Sequence, residues 1–323
     1  MNYDETVFVN PDKLGLDEGD TLDELYRKLG KAYYEGAFED PLPQLLPLFD
    51  KITKIKGLSA GGVQQKRDDV PAQRYKEEII EEIPEVDAVL GTTSFGDIIK
   101  ALDKVFAGER YLEFKDINGL TEISKKRVLT TGGYYGYLKI AEGCDKRCTY
   151  CIIPKLRGNY RSIPMEQLIS QAEYLAEQGV RELILVAQET TVYGKDLYQE
   201  KCLHKLLKEL CKIPGIQWIR ILYCYPEEIY PELIQTMKEE KKICHYLDLP
   251  IQHCSDKILK KMGRRTTKQE LIDIVTLLRK EIPDIVLRTT LITGFPGETE
   301  EDHEELMEFI DTMEFDRLGV FTY

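Results

Sequence analysis

Cys144, Cys148 and Cys151 fall within ten residues, EGCDKRCTYC, at the spacing C-x3-C-x2-C. The chain is long, and its start, MNYDETVFVN, has neither the basic stretch nor the apolar run of an export signal. Thiols so placed read as a metal or redox site rather than as a disulfide framework. A structural zinc site wants four protein ligands in a tetrahedron. The next cysteine is Cys202, with His204 beside it on a predicted helix, and no second C-x2-C pair follows. An iron–sulfur cubane can instead be held by three thiolates, with one iron left open to another ligand. Cysteines packed as small apolar side chains are the third reading. Asp145, Lys146 and Arg147 between the thiols argue against burial of this loop.

Such a loop needs a scaffold, and the pattern from Tyr137 onward supplies one. YLKIAEG, ELILVAQ, WIRILYC, CHYLDLP, IVLRTTLITG and RLGVFTY read as strands. Between them, PMEQLISQAEYLAEQG, CLHKLLKELCKI, PEEIYPELIQTMKEEKK, KQELIDIVTLLRKEI and TEEDHEELMEFIDTM read as helices. Sustained alternation of this kind predicts parallel βαβ units. Six strands are too few for a closed eight-stranded barrel, so the expected fold is α/β, an open, partial (β/α)6 barrel. In parallel barrels the reactive groups gather at the carboxyl ends of the strands. Cys144, the pair Gln188 and Glu189, the pair Tyr223 and Cys224, the pair Gln252 and His253, and the run Gly294 to Gly297 all fall at such ends. Leu306, Phe309, Ile310 and Met313 have helical spacing and read as core.

Upstream the chain is less regular. Residues 1–65 form a helical segment of unassigned role. TLDELYRKLGKAYYEG carries a Thr21–Glu24 capping box and an apolar stripe of Leu22, Leu25, Tyr26, Leu29 and Tyr33. Residues 66–128 read as a small α/β remnant, with KEEIIEEI and FGDIIKALDKVFAG as helices and VDAVLGTT as a strand. Residues 129–323 are the barrel. The chain has 323 residues, 42% of them apolar, enough for a sizeable core. Its net charge of −13 argues against a nucleic-acid footprint and suits a basic protein partner. No apolar run approaches the length of a membrane span, so a cytoplasmic protein is expected.

CDKRCTYC resembles the signature of the radical S-adenosylmethionine enzymes. The stretches YLKIAEGCDKRCTYCIIPKLRGNYRS, LILVAQETTVYGKDLY, LYCYPEE, LDLPIQHCSDKILKKMGRRT and LRTTLITGFPGETEEDHEEL are similar to the methylthiotransferases, and YGKDLY and IQHCSDKILKKMGRR to the RimO-type branch. The resemblance spans about Ala72 to Tyr323. It implies a 4Fe–4S cluster on Cys144, Cys148 and Cys151, with S-adenosylmethionine bound to the open iron. It also implies cofactor contacts from Tyr150 and Gly294, Phe295, Pro296 and Gly297 (adenine), Gln188 and Glu189 (methionine amino group), Gln252 (ribose) and Arg288 (carboxylate). No side chain is singled out as acid, base or nucleophile. The implied substrate is an aspartate β-carbon on a small-subunit ribosomal protein. The implied electron donor is a flavodoxin or ferredoxin, and neither membrane nor nucleic acid is an expected partner.

The family also carries an N-terminal domain with three further cysteines for a second cluster, and a C-terminal β-barrel, the TRAM domain. Here no cysteine precedes Cys144, Val70 and Pro71 stand where the family has a glycine-cysteine pair, and the chain stops at Tyr323. The second cluster is therefore expected to be absent, and the chain reads as a truncated or fused relative with a replaced front and exposed apolar surface. Three readings follow. The chain is a RimO-type methylthiotransferase, or a relative that cleaves S-adenosylmethionine without inserting sulfur, or a non-catalytic module that docks a ribosomal protein.

Overall fold

The computed structural model describes residues 79, 81–83, 85–119, 129 and 133–323. The helix at TLDELYRKLGKAYYEG and the rest of residues 1–65 lie outside the described residues. The chain divides into two compact units, Met1–Gly91 with Asp97–Glu113, and Thr92–Gly96 with Phe114–Tyr323.

Among its described residues the first unit is a single βαβ unit. Strand β1 (Ala88–Leu90) leads to helix α1 (Ile98–Phe106) and then to β2 (Tyr111–Glu113). β1 and β2 pair in parallel, Ala88 opposite Tyr111. β2 was not foreseen in the sequence, because three residues with one apolar side chain between polar neighbours leave no alternation to read.

The second unit carries a six-stranded sheet of β3 (Tyr135–Lys139), β6 (Glu182–Val186), β7 (Trp218–Ile221), β8 (Ile243–Asp248), β9 (Val286–Thr293) and β10 (Arg317–Thr322). Every pairing is parallel. The spatial order equals the sequence order, and β3 and β10 are the two edges. A sheet wound in one direction without reversal keeps its crossover helices on one face, which is the winding of an incomplete barrel rather than of a doubly wound sheet. The expected open (β/α)6 architecture is what forms. The unforeseen parts are short. A two-stranded antiparallel ribbon, β4 (Ala141–Glu142) with β5 (Arg161–Ser162), flanks the cysteine loop. Helices α2 (Ile153–Arg157), α4 (Lys195–Tyr198) and α7 (Asp256–Lys261) sit in the loops after strands.

The long crossovers are α3 (Met165–Glu177), α5 (Leu203–Cys211), α6 (Pro231–Glu239), α8 (Lys268–Glu281) and α9 (Glu300–Met313). Each buries one stripe at helical spacing, such as Leu203, Leu206, Leu207 and Leu210 on α5, or Leu271, Val275 and Leu278 on α8. These stripes meet the alternate strand residues Leu183, Leu185, Ile219 and Ile221 in one core. Leu306, Phe309 and Met313 are buried as expected, and Ile310 packs against them. Thr267 and Thr299 open α8 and α9 with capping boxes closed by Glu270 and Asp302. The single helix expected over PEEIYPELIQTMKEEKK is split. A 3-10 turn covers Pro226–Glu228, and α6 starts at Pro231, whose ring suits a first helical position but no interior one. The outermost strand β10 leaves Leu318, Val320 and Phe321 exposed.

Two substitutions weigh these contributions. Leu207→Ala empties a fully buried site and is expected to destabilise by about 2–5 kcal/mol. Thr267→Ala removes one cap and should lose about 1 kcal/mol. Urea unfolding of both variants checks this ranking, and equal losses would contradict it.

Candidate functional site

The cysteine loop leaves β4 at Gly143, whose φ is +78°. A Cβ there would stand 2.1 Å from the Asn159 carbonyl oxygen, so only glycine lets the loop pass this close to the returning chain. The Gly143 N–H donates to Gln188 Oε1 at 2.8 Å, which ties the loop after β4 to the residue that follows β6. Farther along, the Thr149 N–H donates to the Met262 carbonyl at 3.0 Å and the Thr149 hydroxyl to the Lys261 carbonyl at 3.0 Å. The Cys151 N–H closes a turn on the Cys148 carbonyl at 3.0 Å. The loop is thus held by its flanking chain, by the end of β6 and by the segment after α7.

Cys144, Cys148 and Cys151 line one cavity of about 70 Å³, together with Lys146, Arg147, Ile153, Pro154, Gln188 and Tyr225. All three are free thiols. Among the described residues no three His, Cys, Asp or Glu side chains are grouped as a metal ion needs. The three thiols line one cavity, an arrangement open to a multi-iron group whose ligands bind different metal atoms.

The loop is more buried than its charges suggested. Cys144 and Cys148 are 8% and 7% exposed. The charged side chains between them find partners. The Tyr160 N–H donates to Asp145 at 3.1 Å, Lys146 pairs with Glu228, and Arg147 donates to Asn159 at 3.0 Å. Burial pushes the Cys144 thiol up to about 11 and raises that of Cys151.

The other expected contacts fall into separate places. Gln188 is in the cavity wall. Glu189 is 1% exposed. Its Oε1 accepts from the Thr191 N–H at 2.9 Å and from the Thr191 hydroxyl, while Oε2 is buried without a partner. Burial lifts this carboxyl to about 7, against the pull of the Thr191 hydroxyl and of Lys146. Tyr150 and Phe295 meet edge to face, with ring centroids 6.4 Å apart, in a small apolar cluster with Ile258, Met262 and Ile292. Gly294, Pro296 and Gly297 are exposed in the turn that follows β9. Gly294 and Gly297 have φ of +75° and +88°, and a Cβ on Gly297 would strike the Lys261 ammonium. Gln252 takes a left-handed φ of +73°, and its main chain bridges to β9 while its side-chain amide donates to the Pro250 carbonyl at 3.3 Å. Arg288 is committed to Asp248 on the neighbouring strand, Nη1 to Oδ1 at 2.5 Å. His253 is core, with Nδ1 accepting the Ser255 N–H at 3.0 Å, and Cys254 is fully buried.

Two residues of the site were not singled out in the sequence. The Tyr225 hydroxyl lies 2.8 Å from Cys148 Sγ, and the Arg264 guanidinium stacks 4.0 Å from the centre of the Tyr225 ring. Neither sits in a spaced motif. Tyr225 lies one position beyond the pair noted after β7, and that near miss was the one available signal.

Residues 138–310 match the Radical SAM superfamily. The chain is 61% identical over 294 residues to the ribosomal protein uS12 methylthiotransferase RimO of Lachnoclostridium phytofermentans, covering 90% of this chain and 65% of that one. It is 51% identical over 252 residues to the protein of the same name from Clostridioides difficile, covering 78% of this chain and 57% of that one. The chain thus spans about three fifths of the length of the curated relatives it matches. The 294-residue match must reach upstream of Ala72, so similarity to the family extends into residues first read as unlike it. Among solved structures, the cobalamin-dependent S-adenosylmethionine radical enzyme OxsB aligns with a TM-score of 0.53 at 16% identity, over 90% of this chain and 45% of that one, a likeness of fold. Among the described residues no helix is long and apolar enough to cross a membrane. The chain belongs to the radical SAM superfamily, and over most of its length it is similar to the RimO-type methylthiotransferases.

Proposed function

We propose that this chain binds one 4Fe–4S cluster through Cys144, Cys148 and Cys151, binds S-adenosylmethionine beside it, and supplies the radical step of a methylthio transfer to an aspartate β-carbon of the small-subunit ribosomal protein uS12. The observation that carries this reading is the convergence of three thiols and Gln188 on one cavity at the carboxyl ends of β3 and β6. A mononuclear zinc site is disfavoured by the lack of a fourth Cys, His, Asp or Glu in the cavity wall among the described residues. Bound together, the cluster and S-adenosylmethionine supply a carbon radical able to remove hydrogen from an unactivated carbon.

The chain's own part is to bind, orient and exclude water. Gln188 fixes the start of the ligand loop through Gly143. Glu189 offers a buried, unpartnered carboxyl oxygen, the kind of acceptor a cationic amino group would satisfy. Tyr150 and Phe295 offer an apolar aromatic surface to an adenine ring. The exposed glycines after β9 let the main chain come close to a ligand. Arg288 gives Nη1 to Asp248 and keeps further N–H donors that could meet a carboxylate. A flavodoxin or ferredoxin is the proposed electron donor. The net charge of −13 favours a basic ribosomal protein over nucleic acid as the macromolecular partner.

Anaerobic reconstitution tests the site. About four irons per chain are expected, and Cys148→Ala should lose them. Iron and brown colour retained in that variant would sink the assignment, and about eight irons would mean a second cluster. Release of 5′-deoxyadenosine under dithionite separates an enzyme from a docking module, which releases none.

Glu189 gives a pH test in the metal-free protein. Its folded-state pKa of about 7 lies above its ordinary 4.5, so between these values the folded chain binds more protons than the unfolded one. That contribution is complete below pH 4.5 and is lost as pH rises through 7. Glu189→Gln should therefore flatten the decline in stability between about pH 5 and 7. Equal slopes in urea unfolding for wild type and variant would rule out a protonated, buried Glu189.

A further inference from the structure

Arg264 is a buried cation with no ion-pair partner among the described residues, its nearest opposite charge being the field of Glu227. It is 6% exposed, its Nη2 donates to the Pro250 carbonyl at 3.0 Å, and its Nε finds no acceptor. Among the described residues no carboxylate lies within ion-pair distance of it. An unpaired buried charge is costly unless something nearby supplies the opposite sign. The Arg264 guanidinium lies against one ring, that of Tyr225, at 4.0 Å, and the Lys146 ammonium stands 4.6 Å from the centre of the same ring. That ring carries its hydroxyl to 2.8 Å from Cys148 Sγ. Tyr225 and Lys146 line the cavity that holds the three thiols, and Arg264 stacks on the Tyr225 ring.

The direction of the Tyr225–Cys148 hydrogen bond follows from chemistry. A metal-bound thiolate has no proton to give, so with iron on Cys148 the tyrosine hydroxyl is the donor. A hydrogen bond donated to a cluster sulfur withdraws negative charge from it and favours the state carrying one more electron. The Arg264 cation acts in the same sense, whereas the charge of Lys146 is already met by Glu228 and Glu227. Thiolates around the cluster would add to the negative charge that Glu227 already offers Arg264.

We propose that Tyr225, steadied by Arg264, is a positioning residue that donates to Cys148 and raises the cluster's reduction potential, so that the one electron from an external donor enters more readily. This inference rests on the three-cysteine cluster reading above. Tyr225 and Arg264 lie on different loops, after β7 and after α7, and only the fold joins them. The contact is direct and local. The Thr149 bonds to Lys261 and Met262 hold the cysteine loop against the segment that carries Arg264. A Cβ added to the flanking Gly263 would lie 3.7 Å from Cys148 Cα, so that segment passes close to the ligand loop.

The test is a redox titration of the anaerobically reconstituted full chain, followed by the electron paramagnetic resonance of the reduced cluster. Wild type, Tyr225→Phe and Arg264→Gln are compared after iron analysis. Tyr225→Phe is expected to keep about four irons per chain and to shift its midpoint to a more negative potential. Arg264→Gln should shift it in the same direction. Iron bound with an unchanged midpoint in Tyr225→Phe overturns the proposal and leaves the cluster reading standing. Loss of iron from a Tyr225→Phe chain that is folded by circular dichroism also overturns it, because the hydroxyl would then serve to hold the ligand loop. A wild-type chain that takes up no iron overturns the cluster reading and this inference together. If Arg264→Gln does not fold, Tyr225→Phe alone decides, since it changes one oxygen atom.

Discussion

A ten-residue loop cannot hold three thiols around one cavity by its own local preferences, so its shape has to be imposed from outside. The hydrogen bond from the Gly143 N–H to Gln188 is where that begins. It fastens the loop that follows β3 and β4 to the end of β6, the strand paired with β3. The close pass of Gly143 over Asn159 and the bonds of Thr149 to Lys261 and Met262 complete the clamp. Each anchor belongs to a different crossover. The ligand loop is therefore only as well placed as the sheet that brings those crossovers to one end, and the sheet in turn depends on the buried leucine and isoleucine stripes of its helices.

Charge is the second organising theme. The cysteine loop sits among buried groups of both signs. Lys146 is shared between Glu228 and the Tyr225 ring, Arg264 is stacked and unpaired, and Glu189 keeps one oxygen without a donor. A core built only for stability would leave few such groups. Orphaned donors and acceptors on either side of a thiol-lined cavity are what a site looks like when its remaining partners belong to a ligand. The same low dielectric that makes these groups costly to leave unpaired strengthens their effect on whatever charge enters.

Much of the fold was legible from periodicity. The six principal strands and four of the five crossover helices read correctly within a few residues, because each is long enough to show a period of two or of about three and a half. The failures are short or broken pieces. β2, the β4–β5 ribbon and the helices α2, α4 and α7 carry too few residues for a pattern, and the crossover before α6 breaks at Pro231. Burial of the cysteine loop was misread because charge was weighed by composition. Lys146 is neutralised by Glu228, 82 positions along the chain, and Arg147 is hydrogen-bonded by Asn159 on the returning chain of the same loop.

What the sequence alone determined is the chemistry on offer. It set three thiols at a spacing suited to a cluster, a carboxylate and an amide after β6, and glycines after β9, all at strand ends, because ligand type and element period are both local properties of the chain. What only the tertiary structure decided is which groups surround those thiols. Tyr225 lies 77 positions from Cys148 and still shares a hydrogen bond with it, Arg264 comes from yet another loop, and Arg288 is taken by Asp248 across a strand pair. Such contacts are set by the register and winding of a parallel sheet, whose neighbours are separated by whole helices, and no local pattern records them.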